Sequence, residues 1–208
     1  MLPYVCTTKQ KKSLMKNWII LTICSFAIIS CSKDETVAPT IVESPLSTFL
    51  SSKTGLTFDT FKSDSYSLGY EFKTTADGSV TALGCSSTEA GTFALQLYKV
   101  DSVDNTGTLV ASASIDLTAS DIANRKFNYK TLAQKVAISK GVYYRVTYSV
   151  ENKTFERLQA SNNPSMTFPI TSANKKVLIK RGVYGGVSSF PNQYWDVLYL
   201  ADAKLEFK

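Results

Sequence analysis

Residues 142–150, Val-Tyr-Tyr-Arg-Val-Thr-Tyr-Ser-Val, alternate without a break. Val142, Tyr144, Val146, Tyr148 and Val150 fall on one side, and Tyr143, Arg145, Thr147 and Ser149 on the other. A period of two belongs to extended backbone, because helical side chains return only every 3.6 residues. One face is apolar and the other mixed, so this segment must sit in a sheet that buries at least one of its sides.

The same period recurs along the chain between turn signals. Tyr66, Leu68, Tyr70 and Phe72 alternate with Ser67, Gly69, Glu71 and Lys73, and Asp77-Gly78 then predicts a tight hairpin into Val80 and Ala82. Phe93, Leu95 and Leu97 form a further strand, which Asp104-Asn105-Thr106-Gly107 turns into Leu109, Ala111, Ala113, Ile115 and Leu117. Residues 120–124 suit one helical turn. Phe127 and Tyr129, Val177 and Ile179, Trp195, Val197 and Tyr199, and Leu205 and Phe207 supply the remaining strands. Many short strands rich in β-branched and aromatic residues predict an all-β chain, an antiparallel β-sandwich of jelly-roll-like or immunoglobulin-like form. We expect one domain over residues 56–208, with about nine to eleven strands.

The first third of the chain reads differently. An apolar run from Trp18 to Ile29 ends in Ser30-Cys31 and is followed at once by Ser32-Lys33-Asp34-Glu35. The run is shorter than the roughly 20 residues that span a bilayer and matches a signal-peptide core. Met15 offers an alternative start that leaves a compact leader. Ile28-Ile29-Ser30-Cys31 resembles the lipobox of bacterial lipoproteins. The resemblance implies a lipoprotein signal peptide over residues 1–30, cleavage before Cys31, and acylation of the Cys31 thiol, which makes the lipid bilayer a partner. Several acyl chains are needed for stable anchoring, because a single one holds a protein only marginally. The acidic residues after Cys31 resemble the signal that carries lipoproteins to the outer face of the outer membrane, so surface display is the expected location. Pro39, Pro45 and the many Ser and Thr residues between Thr36 and Thr54 suggest a flexible tether over residues 31–55. Residues 42–50 offer the alternative of docking as an edge strand.

This boundary changes the meaning of the composition. Four of the 23 basic residues (Lys9, Lys11, Lys12 and Lys16) and none of the 17 acidic ones precede Cys31, which leaves a net charge of +2 beyond it. That is no nucleic-acid footprint. Of the four cysteines, Cys6, Cys24 and Cys31 belong to the leader and anchor, and Cys85 is a small apolar residue of the core. Histidine is absent, which removes Ser-His-Asp and Cys-His catalysis and the usual zinc ligands. We expect no cofactor, no metal site and no catalytic residue.

Leu68-Gly69-Tyr70-Glu71-Phe72, Gly78-Ser79-Val80-Thr81-Ala82-Leu83 and Leu97-Tyr98 resemble the opening of an uncharacterised bacterial extracellular β-sandwich module, a domain of unknown function. Gly182-Val183-Tyr184, Phe190-Pro191 and Tyr194-Trp195-Asp196-Val197 resemble its close. The resemblance implies a sandwich and an extracellular setting, and supplies no catalytic residue.

Among candidate binding residues, Tyr184, Phe190, Asn192, Gln193 and Tyr194 stand on one glycine-flexed loop. Aromatic rings beside amides suit sugars, whose C–H faces stack on rings while their hydroxyls take directed hydrogen bonds. The alternative is that Tyr184 and Phe190 cover an open end of the sandwich. Trp195 shares strand parity with Val197 and Tyr199 and is assigned to the core. Asp101, Asp104 and Asn105 offer oxygen ligands to calcium but lack the spacing of a calcium loop, and a solvated hairpin tip is favoured. Lys175-Lys176 and Lys180-Arg181 read as charged protection of a strand. The expectation is a surface-displayed, non-catalytic module that binds carbohydrate. Its alternative is a structural or adhesive lipoprotein that engages an envelope or host protein, by strand addition for example.

Overall fold

The computed structural model describes residues 39–208 apart from 63, 102–104 and 188. The leader, Cys31 and the first part of the tether lie outside the described residues. Fourteen strands and one short α-helix are found among them. The count exceeds the nine to eleven expected because several strands are only two to four residues long.

The strands form three antiparallel sheets. The largest joins β10 (Ile170–Thr171), β11 (Val177–Gly185), β3 (Ser65–Thr74), β8 (Tyr143–Glu151), β5 (Gly91–Asp101) and β6 (Thr106–Leu117), with β12 (Gln193–Trp195) added to β11. A second sheet runs β1 (Ile41–Glu43), β14 (Ala201–Phe207), β4 (Gly78–Cys85) and β7 (Asn128–Ile138). A third, small sheet runs β13 (Val197–Tyr199), β9 (Thr154–Gln159) and β2 (Asp59–Lys62). None closes into a barrel, and the fold is an antiparallel β-sandwich.

Alternation decides what lies between the two large sheets. Leu68, Tyr70 and Phe72 from β3, Phe93, Leu95 and Leu97 from β5, and Tyr144, Val146, Tyr148 and Val150 from β8 meet Val80, Leu83, Leu205 and Phe207 of the opposing sheet. Each large side chain so buried contributes about 1.5–3 kcal/mol. Cys85 belongs to this core, where burial pushes its thiol up to about 12.

The expected hairpin at Asp77-Gly78 does not form. Both edges of β3 are taken, by β8 and β11, and β4 crosses to the other sheet to pair with β14 and β7. Gly78 lacks the positive φ that a type I′ turn demands. It is needed for space, because a Cβ there would stand 2.6 Å from the Glu206 carbonyl oxygen. The β5–β6 hairpin forms as expected, with Asn105 at φ +49° supplying the left-handed residue.

Regular structure begins earlier than residue 56. Ile41–Glu43 pairs with β14, and Pro45–Ser51 forms the helix α1, with Pro45 and Leu46 buried. Of residues 42–50, the alternative edge strand, only Val42 and Glu43 dock as strand, and most of the rest is helical. The cause lies far along the chain. Buried Asp202 accepts the backbone N–H groups of Leu46 (3.2 Å) and Ser47 (2.9 Å), at the helix end where Ser44 provides no side-chain cap. It also accepts the hydroxyls of Tyr70 and Tyr129, each at 2.8 Å, and the N–H of Ala203. Composition could not show this partner.

Candidate functional site

The residues grouped as one loop in the sequence are divided between two faces. β12 pairs with β11 so that Tyr184 is opposite Gln193, Val183 opposite Tyr194 and Gly182 opposite Trp195. Directly opposed residues share a face and neighbours along a strand do not. Tyr184, Gln193 and Trp195 therefore face one way, and Tyr194 the other.

On the first face lies an aromatic platform. The Tyr184 ring stands 5.3 Å from Trp195, 6.4 Å from Tyr66 and 6.4 Å from Tyr199. The Arg157 guanidinium lies over Phe61 at 4.2 Å and over Trp195 at 5.3 Å, which links the third sheet to the row. Phe155 and Tyr199 back the platform from below, with Phe155 5.8 Å from Phe61. Trp195 is 52% exposed, Tyr66 43% and Phe61 39%. Three large rings in solvent, packed on half-buried Tyr184 and buried Phe155, form an apolar surface. Gln193, Asp59 and Asn162 supply polar groups around it, with Asn162 donating its amide to Asp59 at 3.3 Å.

The assignment of Trp195 to the core is thus corrected. Its parity with Val197 and Tyr199 has no force, because the strand breaks at Asp196. Trp195 pairs with β11 in the large sheet, while Val197 and Tyr199 pair with β9 in the small one.

On the second face a cluster of charged side chains gathers. Glu71 and Arg145 are opposite one another on β3 and β8. Arg145 donates Nε at 2.8 Å and Nη2 at 2.6 Å to Glu71 Oε2, and both side chains are buried. Arg181 donates Nε to Oε1 at 3.2 Å, and Lys180 Nζ reaches the same oxygen at 3.2 Å. Burial raises the Glu71 carboxyl, but the three cations outweigh it and hold the group below its ordinary range. Lys180 and Arg181 therefore converge on a carboxylate instead of protecting a strand, since β11 is paired on both sides.

Phe190 and Asn192 close over this cluster. The Phe190 ring lies 4.5 Å from the Arg145 guanidinium and meets Tyr98 edge-on at 5.4 Å. Arg145 donates Nη1 to the Pro191 carbonyl and Nη2 to Asn105 Oδ1 at 2.7 Å, and the Asn105 amide donates to the Asn192 carbonyl at 3.2 Å. Phe190 is thus a cover over the outer face of the sheet, not over an open end. Tyr194 stacks under the Arg181 guanidinium at 3.7 Å. The structure brings Tyr184 and Gln193 together with Trp195, and Phe190, Asn192 and Tyr194 with the ion cluster.

For calcium, Asp104 lies outside the described residues, and Asn105 spends its side chain on Arg145 and Asn192. Among the described residues no cluster of three acidic, cysteine or histidine side chains suited to a metal is found, nor any helix long and apolar enough to cross a membrane.

Tyr66 was visible to the sequence only as a strand residue, and Phe61 and Arg157 not at all. A usable signal existed for Arg145: a charge in the middle of the most regular strand requires a buried partner. No curated protein matches the chain. A family described as Domain of unknown function (DUF4082) matches residues 53–199, which takes in all the aromatic and charged residues of both faces. The chain belongs to this DUF4082 family.

Proposed function

We propose that this protein is a surface-anchored, non-catalytic binding module whose ligand is carbohydrate. The observation that carries the reading is the platform of Trp195, Tyr184 and Tyr66, continued by Arg157 and Phe61. Exposed rings lose little conformational freedom on binding, and a sugar's C–H face covers them while its rim hydroxyls meet Gln193, Asp59 and Asn162. A row of solvent-exposed rings suits a chain ligand that passes across it. The lipobox resemblance at Cys31 supports a lipid anchor, and the acidic residues after it support display at the outer membrane surface. The absence of histidine supports binding rather than turnover.

The test uses the chain with Trp18→Phe, which leaves Trp195 as the single tryptophan. Titration with neutral oligosaccharides is expected to give a saturable change in its fluorescence. No change with any of them, together with no heat in calorimetry, contradicts the reading. Recovery of one stoichiometric protein from envelope extract, with no glycan bound, favours an adhesive role instead.

A further inference from the structure

Behind the platform, on the opposite face of β12, lies a cleft of about 240 Å³ walled by Tyr143 and Tyr194 and floored by Glu71, with Lys180, Arg181 and Asn105 at its sides. Charge is distributed unevenly in it. Arg145, withdrawn from solvent, already meets the Glu71 carboxylate with two N–H groups on one oxygen. One buried pair neutralises itself, yet Arg181 and Lys180 crowd the other oxygen of the same carboxylate. Asp101 also lines the cleft, and Lys73 lies over the Tyr143 ring at 5.4 Å. A second cleft of about 530 Å³ continues past Tyr143 and Asp101 and adds Lys99. Among the described residues the two clefts are lined by Lys180, Arg181 and Lys99 against Glu71 and Asp101, with Arg145 buried against Glu71 and Lys73 over the Tyr143 ring.

Two of these cations are held ready. Arg181 is stacked on Tyr194 at 3.7 Å, and Lys180 stands over Tyr143 at 4.4 Å. Stacking fixes the direction of each charge and lowers the cost of ordering it around a ligand. Lys180 is 43% exposed and Arg181 20%, so both reach solvent, whereas Arg145 does not. An arginine fork and a lysine point charge between two rings match a sugar bearing an anionic group.

We propose that this cleft binds the carboxylate or sulfate of an acidic glycan, with Arg181 and Lys180 as its ligands and Tyr143 and Tyr194 as stacking walls. The inference rests on the carbohydrate reading above and adds the substrate class. Glu71 and Arg145 are positioning residues: they hold Arg181 and Lys180 at the mouth of the cleft.

The experiment compares ligands that differ only in charge. The full chain is titrated calorimetrically with oligogalacturonate and its methyl ester, and with dextran sulfate and dextran. At least one acidic form is expected to bind tenfold or more tightly than its neutral parent. Lys180→Met with Arg181→Gln should remove that difference, while Lys135→Met, an exposed cation elsewhere, should keep it. Preference for the first pair identifies a carboxylate ligand, and for the second a sulfate. Equal affinity for acidic and neutral forms of both, or a preference that survives the double variant, overturns the proposal. Trp195→Ala separates the two claims. Loss of neutral glycan binding with no acidic preference leaves the platform standing and the cleft refuted. In the wild type, an acidic preference with no neutral binding at all supports the cleft and refutes the platform, and in Trp195→Ala a retained acidic preference with lost neutral binding supports both.

Discussion

Arg145 and Glu71 face each other across β3 and β8, with Nη2 2.6 Å from Oε2 and neither side chain open to solvent. Such a pair is costly to break, because removing one partner strands the other charge in a low dielectric. Glu71→Ala is expected to cost about 3–5 kcal/mol in denaturant unfolding, since Arg145, Arg181 and Lys180 would all lose their common anion. The effect has a pH signature. Burial raises the Glu71 carboxyl, but the surrounding cations lower it by more, so its folded value lies below its unfolded one. Its stabilisation is therefore complete above roughly pH 4.3, the ordinary glutamate value, and is lost as pH falls through the lower folded value. The stability gap between the wild type and Glu71→Gln should shrink on acidification in that window.

A second prediction concerns the same outer face. Thr147 is opposite Gln96 and Gly69, and Ser67 lies two residues further along β3 on the same face. Thr147 Oγ1, Gln96 Oε1 and Ser67 Oγ are buried without a hydrogen-bond partner. Desolvating an unpaired hydroxyl costs about 1–3 kcal/mol. Thr147→Val removes the hydroxyl at nearly constant shape, and should raise stability by about 1 kcal/mol, read as a shift in the denaturant midpoint. A loss of stability would mean that a bound water satisfies these groups.

Asp202 ties the two ends of the described chain together. It accepts five hydrogen bonds, two of them from the first turn of α1. Asp202→Asn replaces an acceptor with a donor opposite N–H groups, and should release residues 41–51 before the sandwich opens. Amide exchange at Leu46 and Ser47 is the measure: both should lose protection while Val146 and Tyr70 keep theirs.

The anchor has its own test. Cys31→Ala should abolish incorporation of labelled fatty acid and move the protein from the membrane to the soluble fraction. Retained label together with membrane partition would overturn the lipoprotein reading.

The sequence carried the architecture and half of the site. Strands with an unbroken period of two, such as residues 142–150, were legible because both neighbours in the sheet impose the same constraint. The hairpin at Asp77-Gly78 was not, since turn chemistry cannot say that both edges of β3 are occupied. Trp195 was misplaced for a related reason: parity carries across Asp196 only if the strand does. Docking of residues 41–51 depends on Asp202, more than 150 positions away, and no local pattern records it. Lys180 and Arg181 looked like protective charge because their shared anion, Glu71, is on another strand.

The central claim is that the platform around Trp195 is where glycan binds. The most direct measurement is the affinity of one neutral oligosaccharide for the wild type and for Trp195→Ala, by calorimetry on proteins of equal thermal stability. Trp195 is 52% exposed, so its removal should cost little folding stability. At least a tenfold loss of affinity is expected, as for removal of a stacking ring within a binding site. Unchanged binding in Trp195→Ala would contradict it.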